Sequence, residues 1–351
     1  MLNKDNSLGD NPIMENGIHV KIVKVNETID KITGNILGII EYGETAVFAD
    51  DADLKFLPYQ FIQVENINEN FCEVWYTPEL VYYRNISSCR IGEGENFCFR
   101  TVTLEDETEG HQEKARNAYK QIFSELNLNT YHVVRFWNYI PRINEMGDVQ
   151  ERYKEFCAGR EEAFLEFYHK NGSVYPAATG VGTYGKDLCL SLLAVHKKAK
   201  RCNIENPNQV PAYCYPRQFG ASSPKFSRAA YVESECEKML LISGTASIIG
   251  TESVYIGDVV MQTNTTIDNI KILFDEKNLK KYAIDYWEIK TNLEYLKVYI
   301  KNWDDFPIIK QICENSFEKE KILYLQSDIC RTELLVEMEG VWLEKFEVIA
   351  E

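Results

Sequence analysis

Leu188-Cys-Leu-Ser-Leu-Leu-Ala-Val195 and Leu334-Leu-Val-Glu-Met-Glu-Gly-Val341 are two strand-like octapeptides lying roughly 150 residues apart, and each closes the same run of predicted elements. Before the first, apolar residues at helical spacing (Ala115, Ala118, Tyr119, Ile122, Phe123, Leu126) predict a helix over Gly110–Leu126. A strand over Tyr131–Ile140, a helix over Val149–His169 and a strand over Ala177–Thr183 follow, and Leu188–His196 ends the set. Before the second, Thr266–Tyr282 reads as a helix, Tyr295–Trp303 as a strand, Phe306–Ser316 as a helix and Ile322–Asp328 as a strand, leading into Leu334–Trp342. The repetition predicts an α+β chain of two related units, each with helices on one face of a mixed sheet. Val210–Ile249 is expected to supply the opening strands of the second unit.

Upstream, His19–Val25 alternates, and Ile36–Glu41, Thr45–Phe48, Phe71–Tyr76 and Phe97–Val102 are further short β-type runs between turn residues. The organisation expected is a flexible tail over 1–17, a first unit with a β-rich start over 18–200, and a second unit over 201–351. The first eleven residues are polar and mixed in charge, without the apolar core of a secretion signal. The apolar runs fall far short of a membrane span. The expected location is therefore cytoplasmic, with no membrane partner.

Ten cysteines and five histidines are scattered without a Cys-x-x-Cys pair, which argues against a zinc site and for reduced thiols. A formal net charge of −16 excludes nucleic acid as an expected partner, since phosphate binding needs a basic face. An anionic ligand would need a concentrated cationic pocket, and seven of the twelve arginines do cluster between Arg135 and Arg228. Gly180-Val-Gly-Thr-Tyr-Gly185 fits the dinucleotide fingerprint literally, but a strand rather than a helix is expected after it, so it is read as a turn or bulge. Where the first octapeptide has Ser191 the second has Glu337, which by alternation shares a strand face with Glu339. A mid-strand carboxylate of this kind is either a surface charge, the commoner case, or a buried functional acid.

Three polar and aromatic segments stand out at strand ends: Arg135–Asn144, Tyr213–Arg228 and Leu241–Gly250. Together with Phe156-Cys-Ala-Gly-Arg160, Tyr175-Pro-Ala-Ala-Thr-Gly-Val-Gly182 and Cys330-Arg331 followed by Leu335-Val-Glu-Met-Glu339, they resemble the signatures of the chorismatases, over roughly residues 130–345. The resemblance implies two units of the RidA (YjgF) type in one chain. It implies release of pyruvate from chorismate without a metal or organic cofactor, with chorismate the small-molecule partner. Glu337 matches the family's general acid. Arg142, Arg160 and Arg217 match positions that hold carboxylates, and Tyr213 is a further hydrogen-bonding candidate. Cys330 resembles the branch that forms a hydroxybenzoate, whereas Ala246 resembles the branch that hydrolyses chorismate to a dihydrodiol, so the sequence departs from both patterns. 3-Hydroxybenzoate, alone or with 4-hydroxybenzoate, is the favoured product. The alternatives are the dihydrodiol 3,4-dihydroxycyclohexa-1,5-dienoate, imine deamination as in single-unit RidA relatives, and a non-catalytic protein binding a small anion. Two units in one chain could satisfy contacts that single-unit relatives make by trimerising, so a monomer is expected.

Overall fold

The computed structural model describes residues 16–24, 32–48, 54, 56–105, 110–168, 175–285 and 292–346. Most of the expected tail, and His169 at the end of the second predicted helix, lie outside them.

Three large sheets organise the described residues. The first has strands β1 (His19–Lys24), β2 (Asn35–Gly43), β3 (Tyr59–Gln63) and β4 (Phe71–Thr77) in the order β1-β4-β2-β3. The second has β5 (Tyr82–Ile86), β6 (Cys89–Glu93), β7 (Phe97–Leu104), β8 (Tyr131–Pro141), β9 (Ala177–Thr183) and β10 (Leu188–His196), in the order β5-β6-β7-β10-β8-β9. Helix α1 (His111–Phe123) connects β7 to β8. Helix α2 (Arg152–Ala163), extended by a π-turn over Phe164–Tyr168, connects β8 to β9. The third sheet uses β11 (Lys200–Ile204), β12 (Ala229–Glu233), β13 (Glu237–Ala246), β16 (Leu293–Ile300), β17 (Ile322–Gln326) and β18 (Val336–Lys345), in the order β11-β12-β13-β18-β16-β17. A small hairpin, β14 (Ile248–Ile249) with β15 (Glu252–Ser253), and helices α3 (Val259–Leu273), α4 (Glu276–Lys280) and α5 (Phe306–Glu314) complete it.

The α+β class is thus realised as mixed sheets with helices on one face. β7–β10 and β13 with β16–β18 share one connection. The first strand pairs antiparallel with the fourth, the fourth antiparallel with the second, and the second parallel with the third. β1–β4 repeat this connection without helices between the strands in the described residues.

Alternation along the fourth strands explains the packing. Leu190, Leu192 and Ala194 of β10 pack with Ala115, Ala118 and Ile122 of α1, and Val336 and Met338 of β18 pack with Ile267 and Ile270 of α3. The opposite faces meet in one core drawn from all three sheets, including Trp75 of β4, Leu193 of β10 and Val341 of β18. Glu73, Ser191, Glu337 and Glu339 fall on this inner side by alternation.

Several expectations need correction. Thr45–Phe48 is not a strand. The amides of Val47 and Phe48 donate to the carboxylate of Glu41, at 2.6 and 3.2 Å, instead of to a neighbouring strand. The third helix starts at Val259, seven residues before Thr266, with the Asp258 side chain capping the Met261 amide at 3.0 Å. Its first turns bury polar Gln262, Thr263 and Thr266, so the apolar spacing is silent there. It ends at Leu273, and Asp275 caps the separate α4. Gly180 and Gly182 lie within β9, not in a turn. A Cβ on Gly182 would come within 2.9 Å of Asp328, so this glycine serves close approach of two backbones. All ten cysteines are free, and among the described residues no helix is long and apolar enough to cross a membrane.

Candidate active site

β9 of the second sheet runs against β13 of the third, and a cavity of about 200 Å³ opens at this seam. β9 contributes Ala178, Thr179 and Gly180, β13 contributes Gly244 and Ala246, and β18 contributes Glu337. Helix α2 brings Tyr153 and Arg160. The loop before β12 brings Tyr215, Phe226 and Arg228, and the loop before β18 brings Cys330 and Arg331.

Glu337 is 4 % exposed, so the structure chooses the buried reading over the surface reading. Burial pushes its carboxyl up to about 8. The neighbouring Glu339 carboxylate adds to the rise, against the pull of Arg135 and Arg228. A carboxylic acid of this kind keeps its proton near neutrality and can deliver it. Space for it comes from Gly244, where a Cβ would lie 2.0 Å from the Glu337 Oε1.

Glu339, two residues on, has the opposite character. Burial works against its charge, but Lys297 and Arg135 outweigh that and hold its carboxyl below the usual range. Lys297 lies 2.5 Å from it and Tyr299 donates to it at 2.9 Å. Arg135 and the hydroxyl of Thr179 also bond it directly. The Thr179 oxygen in turn accepts from Arg135 at 2.6 Å and from the Gly244 amide at 2.9 Å.

The cavity's guanidinium groups are held from behind. Arg228 donates to the Tyr215 hydroxyl at 2.6 Å and to the Val210 carbonyl at 3.2 Å. Arg331 donates to the Thr251 carbonyl at 2.9 Å and lies 4.3 Å from the centre of the Phe219 ring. Arg160, 2 % exposed, lies over Phe156 with its Nε without a protein partner. Such rigid, desolvated forks suit carboxylates. Cys330 packs in one cluster with Ala246, Ile248, Ile329 and Leu334, and burial, then the Glu337 carboxylate, push its thiol upward.

Of the residues expected from sequence, Glu337, Cys330, Arg160 and Ala246 line this cavity. Arg142, Arg217 and Tyr213 do not. Arg142 has a φ of 51° and borders a separate opening of about 600 Å³ with Glu145, Lys186 and Asp328. The signs of charge are mixed there. Arg217 is exposed on a short 3₁₀ turn, and Tyr213 packs on Tyr175 with ring centres 5.3 Å apart. Sequence reading missed Arg228, Arg331, Tyr153 and Tyr215 as lining residues. Arg228 and Tyr215 belong to the segment already singled out, and Arg331 adjoins Cys330, so proximity to those motifs was the available signal.

The profile of the family described as "Chorismatase FkbO/Hyg5-like, N-terminal" matches residues 73–194. A 3-hydroxybenzoate synthase of Streptomyces hygroscopicus is 35% identical over 320 residues, 88% of this chain and 91% of that protein. A chorismatase of Streptomyces rapamycinicus is 34% identical over 228 residues, covering 64% of this chain and 68% of the other. The crystal structure of a chorismatase at 1.08 Å resolution superposes with a TM-score of 0.83 at 26% identity, over 94% of this chain and 99% of that one. By this identity over most of both sequences, and by the matching fold, the chain belongs to the chorismatase family.

Proposed function

We propose that this chorismatase cleaves the enolpyruvyl ether of chorismate to pyruvate and 3-hydroxybenzoate, with Glu337 as the acid. The observation that carries the reading is a buried carboxyl, raised to about 8, facing a cavity edged by Arg160, Arg228 and Arg331. Glu337 gives its proton to the methylene carbon of the enolpyruvyl group. The electron pair of that double bond forms the new C–H bond, and the ether oxygen stabilises the resulting oxocarbenium ion. The arginines hold the two substrate carboxylates. Capture of the cation by the ring hydroxyl, and then aromatisation, gives pyruvate and a hydroxybenzoate with no net uptake of water. Capture by water gives pyruvate and the dihydrodiol.

Cys330 and Ala246, the two residues on which the product was read from sequence, share one packed cluster at the cavity wall. We assign Cys330 the role of shaping the space beside the oxocarbenium so that water is excluded and hydroxybenzoate forms. The division at 18–200 and 201–351 is kept as part of this reading, as are the cytoplasmic location and the monomer. The core common to all three sheets supports a single-chain assembly.

The test is incubation of the purified protein with chorismate, followed by mass spectrometry. Pyruvate with 3-hydroxybenzoate is the expected result. Pyruvate with the dihydrodiol would overturn the product assignment alone, and pyruvate at the uncatalysed background would overturn the reading as a whole.

A further inference from the structure

Behind the cavity lies a chain of buried charges, Glu73, Lys297, Glu339 and Arg135, none of which lines it. Glu73 of β4, in the four-stranded sheet, is fully buried. It accepts from Trp75 at 2.8 Å, from Tyr295 at 2.5 Å and from Lys297 at 2.8 Å. Lys297, also fully buried, lies between Glu73 and Glu339 and accordingly bonds both. Glu339 passes the chain to Arg135 and Thr179, and Thr179 holds the amide of Gly244, the residue that makes room for Glu337. Two carboxylates and two cations balance one another, so an ionised Glu337 would add a further negative charge beside Glu339.

We infer that Glu339 is a positioning residue for the acid: clamped between Lys297 and Arg135, it engages Arg135 and sets a fixed negative charge two residues from the buried Glu337, and Glu73 anchors the clamp from the four-stranded sheet. This rests on the reading of Glu337 as the acid. Isolated buried charges are costly, and a chain of four persists only when each is paired. Here the pairing spans all three sheets and ends two residues from Glu337. The groups facing Glu337 are Glu339 on its own strand, Arg135 from β8, Arg228 before β12, Tyr153 from α2, and Cys330 before β18. Glu151, Lys154, Arg160, Tyr215, Arg331 and Glu333 line the same cavity, while β13 offers only Gly244 and Ala246. Arg135 and Arg228 favour the ionised form of Glu337; burial opposes them first, and Glu339 is the charged group that adds to it.

The experiment compares wild type, Glu339→Gln and Glu73→Gln by the pH dependence of turnover and by the infrared C=O band that Glu337→Gln abolishes. The band reports the proton on Glu337 without reference to turnover, so failure of the chorismate reading and failure of this inference are separable. In Glu339→Gln the opposing charge is gone and Arg135 is left unbalanced. The alkaline limb and the band should then titrate at least about one pH unit lower, a ~10-fold change in protonated fraction on that limb. Glu73→Gln leaves Lys297 wholly to Glu339 and should give a smaller shift in the same direction. It also serves as the test if Glu339→Gln does not fold. Titration unmoved in the folded variants, or a loss of turnover equal at every pH with the band unshifted, would overturn the inference.

Discussion

Where β13 runs past β9, the central strand β18 presents Glu337 to an open cavity; where β7 runs past β3, the central strand β10 presents Ser191 to the side chain of Gln60. The two seams use the same strand connection. In the second, the Ser191 hydroxyl donates to Gln60 at 2.7 Å, and the Gln60 amide reaches the carbonyl of Val102 at 2.9 Å. Ser191 and Gln60 are buried there and bonded within the protein, so neither faces a cavity. At the β9–β13 seam Gly244 withholds a side chain and Ala246 offers a small one, so space remains and Glu337 borders it. One repeated architecture therefore yields a sealed joint and a reactive cleft. The difference lies in a few side chains: glutamine against threonine on the third strand, serine against glutamate on the fourth.

The sharpest way to break this comparison is Glu337→Gln. The variant should fold and lose about 10²–10⁴-fold in pyruvate release, the usual weight of a general acid. Near-normal turnover would remove Glu337 from the mechanism. Gly244→Ala should cost roughly 10²-fold, because the new methyl displaces the acid. A crystal structure of that variant with Glu337 unmoved would contradict the account of the cleft. Copying the acid into the sealed joint, Ser191→Glu, should add no activity and destabilise the protein by about 3 kcal/mol or more, read from denaturant unfolding, because the carboxylate enters a filled site.

Glu337 also sets a pH dependence of stability. Its folded-state pKa, about 8, lies above the ordinary glutamate value of 4.5. Between those values the folded protein binds the extra proton, so stability falls as pH rises through the window. Glu337→Gln should therefore melt above wild type at pH 8 and approach it near pH 5, by differential scanning calorimetry. Equal melting temperatures at both pH values would mean that the carboxyl is not raised. The smallest expected effect is on product ratio. Cys330→Ala should keep turnover within a few-fold and shift product towards the dihydrodiol, by chromatography, and an unchanged profile would make Cys330 purely a packing residue.

Much of the fold was legible because burial on one face leaves a period. β10 reads directly as Leu188–His196, and α1, β8, α5 and β18 differ from expectation by a few residues at their ends. The chain's first sheet was seen only as scattered β runs. Its kinship with the other two lies in strand order, which local sequence does not record. β5 was missed since four of its five residues are exposed and it carries no alternation. In the site, the position of Glu337 was legible while its burial was not. The charges that accompany it, Arg135, Arg228 and Lys297, arrive from strands and loops far away along the chain, and composition alone favours the surface for a glutamate. Arg142 shows the converse. It adjoins Arg135 in a motif of the right kind, yet the end of β8 carries it to a different opening.

Glu337 and Glu339 both sit on β18, while Glu73 lies on β4. Glu73 meets Lys297 across 224 positions of sequence, and Glu237 joins the Ile18 amide at 2.9 Å to Lys345 at 2.5 Å. On a ribosome the four-stranded sheet is made before β16, and its carboxylate stays unmatched until Lys297 emerges. Closure of such distant pairings is slow, and it makes synthesis of β16 and β18 a condition for assembly: a product that stops before residue 336 lacks the strand that carries Glu337.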